Sequence, residues 1–433
     1  MFNQLFGKYL VEQGVVTGDE LNEIFEKQNA ERVRLGTIAV AEGLMDEKQV
    51  EEVNHLQVQM DKRFGDIAVE QGYLTEAQVG ELLSKQGNAY MKFLQLLMER
   101  PNLPLDRIEQ LAEDFKKQYG FSAEELKALK EDNFDEVVPI FVYASKPYVT
   151  ELMALVMRNM VRFATSDFYI GKVQKVNAFD YKCFVGQRLV GDSNIVLGFV
   201  GDTDDEGIAL LASDYSGTVP ENLGNEMYDA IGEFSNICNG LLATDLSDRS
   251  VNVDMEPPFI YLDQTAEGEG YLIPMYVHGK ELKVFISVDA DVTVGQEPYV
   301  YEIKKQETSS AADKGKGTVV IVDDSIFIRK TLRGILEDMG YQVVGEAVNG
   351  LEGVEEYKRC NPDILTLDIT MPEMDGIEAL KEIKAYDKKA KVIMVTAAGQ
   401  QSKVIEALKL GAEKFIMKPF EKEELKKAIE ELI

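Results

Sequence analysis

The feature that most constrains the fold is the alternation running from Thr318 to Ile433: "TVVIVDD", "SIFIRKTLRGILEDMG", "QVVGEA", "GLEGVEEYKRC", "DILTLDI", "GIEALKEIKAY", "KVIMVTA", "SKVIEALKLG", "KFIMKP" and "EKEELKKAIEELI". Short continuous apolar runs suit strands covered on both faces, and the segments between them are amphipathic. Five βα units in succession predict a parallel, doubly wound sheet between two layers of helix. Sites in such sheets form at the carboxyl ends of the strands. Those ends carry Asp323 and Asp324 after the first strand, Asp368 after the third, Thr396 after the fourth and Lys418 after the fifth. Three carboxylates converging on one edge repel one another and call for a hard divalent cation, most simply Mg²⁺.

A metal beside a carboxylate nucleophile, with a hydroxyl and an ammonium close by, suits phosphoryl transfer to that carboxylate. "VDDS", "LDITMPEMDG", "VTAAG" and "KPF", in this order and spacing, closely resemble the response-regulator receiver domain across residues 318–433. The resemblance makes Asp368 the phosphoacceptor and implies a sensor histidine kinase as phosphodonor. It assigns the metal to Asp323, Asp324, Asp368 and the backbone carbonyl of Thr370, and the phosphoryl oxygens to Thr396 and Lys418. A cis peptide is expected before Pro419, and Phe415 matches the aromatic switch position. Thr370 and Ala398, two past Asp368 and two past Thr396, are small enough to leave the phosphoryl group open to an inserted side chain.

Upstream, "KKQETSSAADKGKG" is polar and small, with nothing to bury, and reads as a linker. Before it, "YVTELMALVMRNMVRFATSDF" has the period of a long amphipathic helix. Around that helix lie strand-like runs "YKCFVGQRLVG", "NIVLGFVGD", "VNVDMEPPFIYL", "EGYLIPMYVHG" and "ELKVFISVD". A second helix contains "DAIGEFSNICNG". At 100° per residue Met227, Ile231, Phe234, Cys238 and Leu241 form its inward stripe, while Asp229, Glu233, Asn236 and Gly240 share the other side. Like charges at i, i+4, a mid-helix glycine and a mid-helix asparagine each disfavour the helix slightly, which marks the second side as a functional display face.

The spacing Asp229, Glu233, Asn236, Pro258 resembles the signature of the CheC/CheX/FliY chemotaxis phosphatases, which hydrolyse aspartyl phosphate on a receiver. The resemblance implies that Asn236 positions the attacking water and that Glu233 binds the receiver's lysine; Asp229 matches the motif without a role that the sequence supplies. Gly232, Ser235 and Gly240 would keep the surroundings small for a second backbone to approach. The first long helix has Val156 where the acid of an E-x-x-N pair would stand before Asn159, so one active helix, as in the CheX type, is the better comparison. That type also implies a homodimer.

The first ninety residues repeat. Gly7, Gly36 and Gly65 are 29 apart, as are Gly14, Gly43 and Gly72, and Gln28, Gln57 and Gln86. Each unit reads as a short helix, a glycine turn, an N-cap (Thr17, Asp46, Thr75) and a second helix. Arg34 and Arg63 open two units in a tandem that resembles the MshEN domains, some of which bind cyclic di-GMP. The resemblance gives Arg34, Leu35, Gly36 and Gln57 to one half of the ligand and Arg63, Phe64, Gly65 and Gln86 to the other. Phe64 departs from the usual Leu, and Leu5 stands where the first unit would need Arg.

Composition narrows the partners. The chain has 76 acidic against 46 basic residues, a formal charge of -30, which repels nucleic acid and anionic membranes. No apolar run approaches a membrane span, and no signal peptide is evident, so a cytoplasmic location is expected. Three cysteines without CxxC spacing and two histidines argue against a zinc site or a histidine-based triad. The expected organisation is multidomain: an all-α repeat domain over 1–90, a helical connector over 91–145, an α/β CheX-like domain over 146–300, a linker over 301–317 and a (βα)5 receiver over 318–433. The expected function is two-component chemotaxis signalling, with an aspartyl-phosphate phosphatase acting on its own receiver or on a separate regulator. The alternative is a non-catalytic, phosphorylation-gated dimeric adaptor, with possible cyclic di-GMP sensing by the N-terminal domain.

Overall fold

The structure, a computed structural model, describes residues 1–29, 35, 36, 39, 44–60, 62–86, 90, 93, 96, 97, 100, 103, 105–202, 205–219, 224–299, 316–397, 400–418, 420 and 422–432. The chain forms two compact units, Met1–Val173 with Met275–Gly279, and Gln174–Pro274 with Lys280–Ile433. Among the described residues no helix is long and apolar enough to cross a membrane.

The first unit contains α1 (Phe2–Glu12), α2 (Gly18–Asn29), α3 (Glu47–Met60), α4 (Phe64–Glu70), α5 (Glu76–Gln86), α6 (Leu105–Tyr119), α7 (Ala123–Lys130), α8 (Phe134–Phe141), α9 (Val149–Phe163) and β1 (Phe168–Ile170). The 29-residue repeat is visible in its hydrogen bonds. The backbone N–H groups of Thr17, Asp46 and Thr75 donate to the side chains of Glu20, Gln49 and Gln78, each at 2.8 Å. The cap side chains accept in return from the N–H three residues on. These are reciprocal capping boxes that start the second helix of each unit.

The repeat glycines have a packing cause. A Cβ on Gly7, Gly36 or Gly65 would lie 2.7, 2.5 or 2.6 Å from Leu21, Val50 or Val79, always the residue fourteen positions later. Glycine there lets the two helices of a unit cross closely. Residues 91–145 are more than a connector: Phe115 of α6 packs edge-on against Phe2, Phe6 and Tyr9 of α1. β1, absent from the sequence reading, pairs antiparallel with Met275–Val277.

The second unit begins with β2 (Gln174–Gly191), β3 (Ile195–Gly201), α10 (Glu206–Ser216), α11 (Glu226–Asp248), β4 (Val253–Met255), β5 (Phe259–Val277) and β6 (Lys280–Val288). The sequence suggests separate strands in "PPFIYL" and "EGYLIPMYVHG"; the structure joins them into β5. The strand order is β5-β6-β3-β2-β4, and β5 also pairs with β2, so the sheet curls back on itself. α11 lies against β2 and α10.

The C-terminal part has β7 (Thr318–Val322), α12 (Ile326–Asp338), β8 (Gln342–Ala347), α13 (Gly350–Cys360), β9 (Ile364–Asp368), α14 (Gly376–Tyr386), β10 (Val392–Ala397), α15 (Gln401–Leu410), β11 (Lys414–Lys418) and α16 (Lys422–Glu430). All strands are parallel, in the order β11-β10-β9-β7-β8. Two apolar clusters cover its faces, one around Val320, Leu367 and Leu380, the other around Ile321, Leu332 and Ile429. The five βα units are those expected. Gly376 is required by a close approach: a Cβ there would sit 1.9 Å from the carbonyl oxygen of Asp368.

Candidate functional site

The parallel sheet delivers its polar residues to one edge. β7 ends at Val322 and is followed by Asp323 and Asp324, β9 ends on Asp368, β10 carries Thr396 and β11 ends on Lys418. Lys418 Nζ lies 2.9 Å from Asp323 Oδ2 and 3.0 Å from Asp368 Oδ2. The other oxygen of Asp368 accepts from the N–H of Ile369 at 2.6 Å. Asp323, Asp368 and Lys418 are all buried.

The acidic loop has a support that the sequence did not reveal. Arg329, buried in α12, donates through Nη1 to the carbonyl oxygens of Asp323 (2.7 Å) and Asp324 (3.0 Å). Gln400 is another. Its Oε1 accepts from the Thr396 hydroxyl at 2.7 Å and its Nε2 donates to Thr370 Oγ1. The space expected to be open because Thr370 is small is therefore crossed by a long side chain from four residues past Thr396. Phe415 is partly exposed. Ala398 and Pro419, and with Pro419 the expected cis peptide, lie outside the described residues.

The display face of α11 is not a free surface. Glu233 and Asn236 are each 3% exposed, Gly240 is buried and Asp229 is half-buried. The inward stripe Met227, Ile231, Phe234, Cys238 and Leu241 is buried as expected, but most of the second face is buried as well. What covers the second face is the C-terminal domain of the same unit. Asp229 Oδ2 accepts from Ser325 Oγ (2.8 Å) and from the N–H of Phe327 (2.7 Å). Since Ser325 caps α12, with Ile328 N–H donating to its Oγ, Asp229 supplies a second cap acceptor to that helix. Glu233 Oε1 lies 3.7 Å from Lys418 Nζ. Glu226 pairs with Lys330, and Tyr215 sets its ring 5.5 Å from that of Phe327.

Asn236, one turn beyond Glu233, is held from the sheet. Gln187 of β2, fully buried, donates Nε2 to Asn236 Oδ1 (2.9 Å) and to the carbonyl of Glu256 (2.8 Å), while Asn239 donates to Gln187 Oε1 (3.0 Å). Gly232 faces its own domain rather than an approaching backbone: a Cβ there would meet Pro258 Cβ at 3.3 Å. Ser235 is buried as well.

Gathering so many carboxylates shifts their titration. Burial raises Glu233 to about 8, aided by Asp323 and Asp368 and opposed by Lys418. Burial likewise raises Asp368 to about 6, again against Lys418. Asp324 is pushed well above the carboxylate range by burial and by Asp323. For Lys418 burial disfavours the ammonium, but Asp323, Asp368, Glu233 and Asp324 outweigh it and hold the proton firmly.

Residues 319–430 match the response regulator receiver domain family. Over 103 residues the chain is 57% identical to chemotaxis protein CheY of Thermotoga maritima, covering 86% of that protein and 24% of this chain. The chain belongs to the response-regulator receiver family. It is also 53% identical to chemotaxis protein CheY of Bacillus subtilis, over 92% of that protein and 26% of this chain. Among solved structures it is similar to the CheX-CheY-BeF3-Mg+2 complex from Borrelia burgdorferi, 42% identical over 27% of this chain and 87% of that one, with a TM-score of 0.26.

A receiver takes its phosphoryl group from a histidine kinase, and receivers of the CheY type bind Mg²⁺. The donor set here fits such an ion: Asp323 and Asp324 stand together with Glu233, whose buried Oε2 lacks a hydrogen-bond partner. Asp323, Asp324, Asp368 and the carbonyl of Thr370 are the residues that would hold it, neutralising charge beside the phosphoacceptor.

In the N-terminal unit the proposed nucleotide residues are differently placed. Leu35 and Phe64 belong to one apolar cluster with Val50 and Val79, and the Cβ position of Gly36 also faces the Phe64 ring at 3.2 Å. The glycines expected to admit a ligand thus meet protein side chains. Gln57 Nε2 donates to the carbonyl of Lys62, and Arg63 is exposed. Arg34, together with the side chains of Gln28 and Gln86, lies outside the described residues.

Proposed function

We propose that the central domain is an aspartyl-phosphate phosphatase of the CheX type whose substrate is Asp368 of its own receiver. The observation that carries this reading is the engagement of α11 with the receiver: Asp229 on the N-terminus of α12 and Glu233 beside Lys418. Glu233 docks against an ammonium that also contacts the phosphoacceptor. Asn236, with its amide plane fixed by Gln187, retains Nδ2 and a lone pair of Oδ1 with which to orient a water. Acyl phosphates are already activated, so aligning water with phosphorus and supporting the charge of the transferred group supply the main catalysis. Thr396 and Lys418 would take the phosphoryl oxygens, Thr396 after leaving Gln400.

The test is the lifetime of phospho-Asp368 in the full chain, charged with a small phosphodonor and Mg²⁺, beside Glu233→Ala and Asn236→Ala. Lifetimes lengthened by both substitutions and independent of protein concentration support hydrolysis within one chain. Dependence on concentration would move the reaction between chains, in the homodimer that the CheX type implies or onto a separate regulator. Equal lifetimes in all three proteins would leave α11 as a non-catalytic, phosphorylation-gated clamp. Input from cyclic di-GMP would enter through the N-terminal repeats and use Arg63; equilibrium dialysis with the dinucleotide tests it, and no retention would remove it.

A further inference from the structure

We infer that Glu233 is a direct ligand of the receiver's divalent cation, so that the ion ties α11 to the acidic loop after β7. The inference rests on the docked helix described above and not on hydrolysis.

One carboxylate oxygen from each of Glu233, Asp323 and Asp324 lies within 4.8 Å of the others, a spacing that a single hard cation can bridge. A second observation singles out Glu233. Its Oε1 is the oxygen that faces Lys418 at 3.7 Å, whereas its Oε2 is buried without a hydrogen-bond partner. A carboxylate with one oxygen near an ammonium and the other unpartnered, in a side chain only 3% exposed, lacks a donor or cation for that second oxygen.

Charge points the same way. Glu233, Asp323 and Asp368 share one ammonium, Asp324 stands beside Glu233 and Asp323, and the nearby guanidinium of Arg329 is turned to backbone carbonyls and Glu346. A divalent ion compensates the carboxylates that Lys418 does not. Room exists beside them: a cavity of about 230 Å³ is lined by Asp229, Gly232, Glu233, Pro258, Asp324 and Ser325, enough for the waters that Mg²⁺ retains. Ligation from α11 also makes docking and ion binding mutually reinforcing, because each must favour the other by the same factor.

The experiment is an equilibrium titration of the full chain with Mn²⁺, reading free ion by its electron paramagnetic resonance signal, in the wild type, Glu233→Gln, Glu233→Ala and Asp229→Ala. Loss of a ligand should weaken Mn²⁺ binding by about 10–100-fold in both Glu233 variants. Electron–nuclear double resonance should count one more bound water in Glu233→Ala than in the wild type. Asp229→Ala, which loosens docking without touching the ligand set, should weaken binding as well. Affinities of the Glu233 variants within twofold of wild type, or equal water counts, overturn ligation. Weakening by Asp229→Ala with none by Glu233→Gln also overturns it. Phosphoryl lifetimes in the same variants report separately on hydrolysis, so ligation and catalysis can fail independently.

Discussion

Replacing Asp229 by Ala isolates the contact that the sequence could not interpret. The side chain offers Oδ2 to two receiver donors, Ser325 Oγ and the N–H of Phe327. Phe327 is the second residue of α12, where no carbonyl within the helix can serve its N–H. Removing a cap acceptor of this kind costs about 0.5–2 kcal/mol, and hydrogen bonds to a charged group contribute about 1.5–3 kcal/mol. The half-buried site lets water recover part of that, so about 2 kcal/mol is the working value, close to 30-fold in the docking equilibrium. Hydrogen exchange reads it directly. The Phe327 amide should lose protection by about tenfold or more, while Ile328, whose N–H is capped by Ser325 at 3.1 Å from within the receiver, should change much less. Unchanged protection at Phe327 would refute the view that Asp229 holds the helix to the receiver.

Other consequences are equally measurable. Gln187→Leu removes the donor to Asn236 and the acceptor of Asn239; it should lengthen the phospho-Asp368 lifetime by about tenfold or more without altering Phe327 protection, and loss of both together would count against a positioning role. Arg329→Met strips the carbonyls of Asp323 and Asp324 of a buried donor and should destabilise the receiver by about 2–3 kcal/mol in thermal melts; an unchanged midpoint would show the loop needs no such support. Glu233, raised to about 8 when docked against about 4.3 for a free side chain, binds a proton that the undocked state releases. In metal-free buffer the contribution of Glu233 to docking is therefore fully present below about pH 4.5, weakens as pH rises and is lost above about pH 8. The Phe327 protection factor across that window checks the sign, and a rise with pH would refute it.

How legible each feature was depended on the range of the physics behind it. The receiver could be read because its strands are buried on both faces and their carboxyl ends fall together whenever a parallel sheet forms. The two faces of α11 could be read from period alone, but what covers the second face could not, since Asp229 meets Ser325 and Phe327 across 96 and 98 residues of chain. Gln187 sat within the strand-like run "YKCFVGQRLVG" with no local sign that its amide would clamp Asn236 and Asn239. The repeat showed the opposite failure. Its period was plain, and its caps formed as expected, yet close approach through Gly36 and Gly65 serves helix crossing by Val50 and Val79. Glycine signals a close neighbour without saying whether that neighbour is a ligand or a side chain.

Burial also orders the events at the site. Asp368 is 3% exposed and Lys418 1%, with Glu233 of α11 alongside. On the proposed function, a kinase bringing a phosphohistidine would reach Asp368 with α11 released. The contacts suit release: a cap carboxylate, an ion pair at 3.7 Å, a surface pair between Glu226 and Lys330, and the Tyr215–Phe327 ring contact. The surface pair adds little, and the long ion pair must offset the desolvation of both partners. Phosphoryl transfer would then happen in the released state and hydrolysis in the docked one. On the proposed function the lifetime of the signal is set by how soon α11 returns as well as by how fast Asn236 aligns its water. On that proposal, a phosphatase helix carried by the same chain would return at a rate independent of protein concentration, and would limit how long the receiver stays phosphorylated.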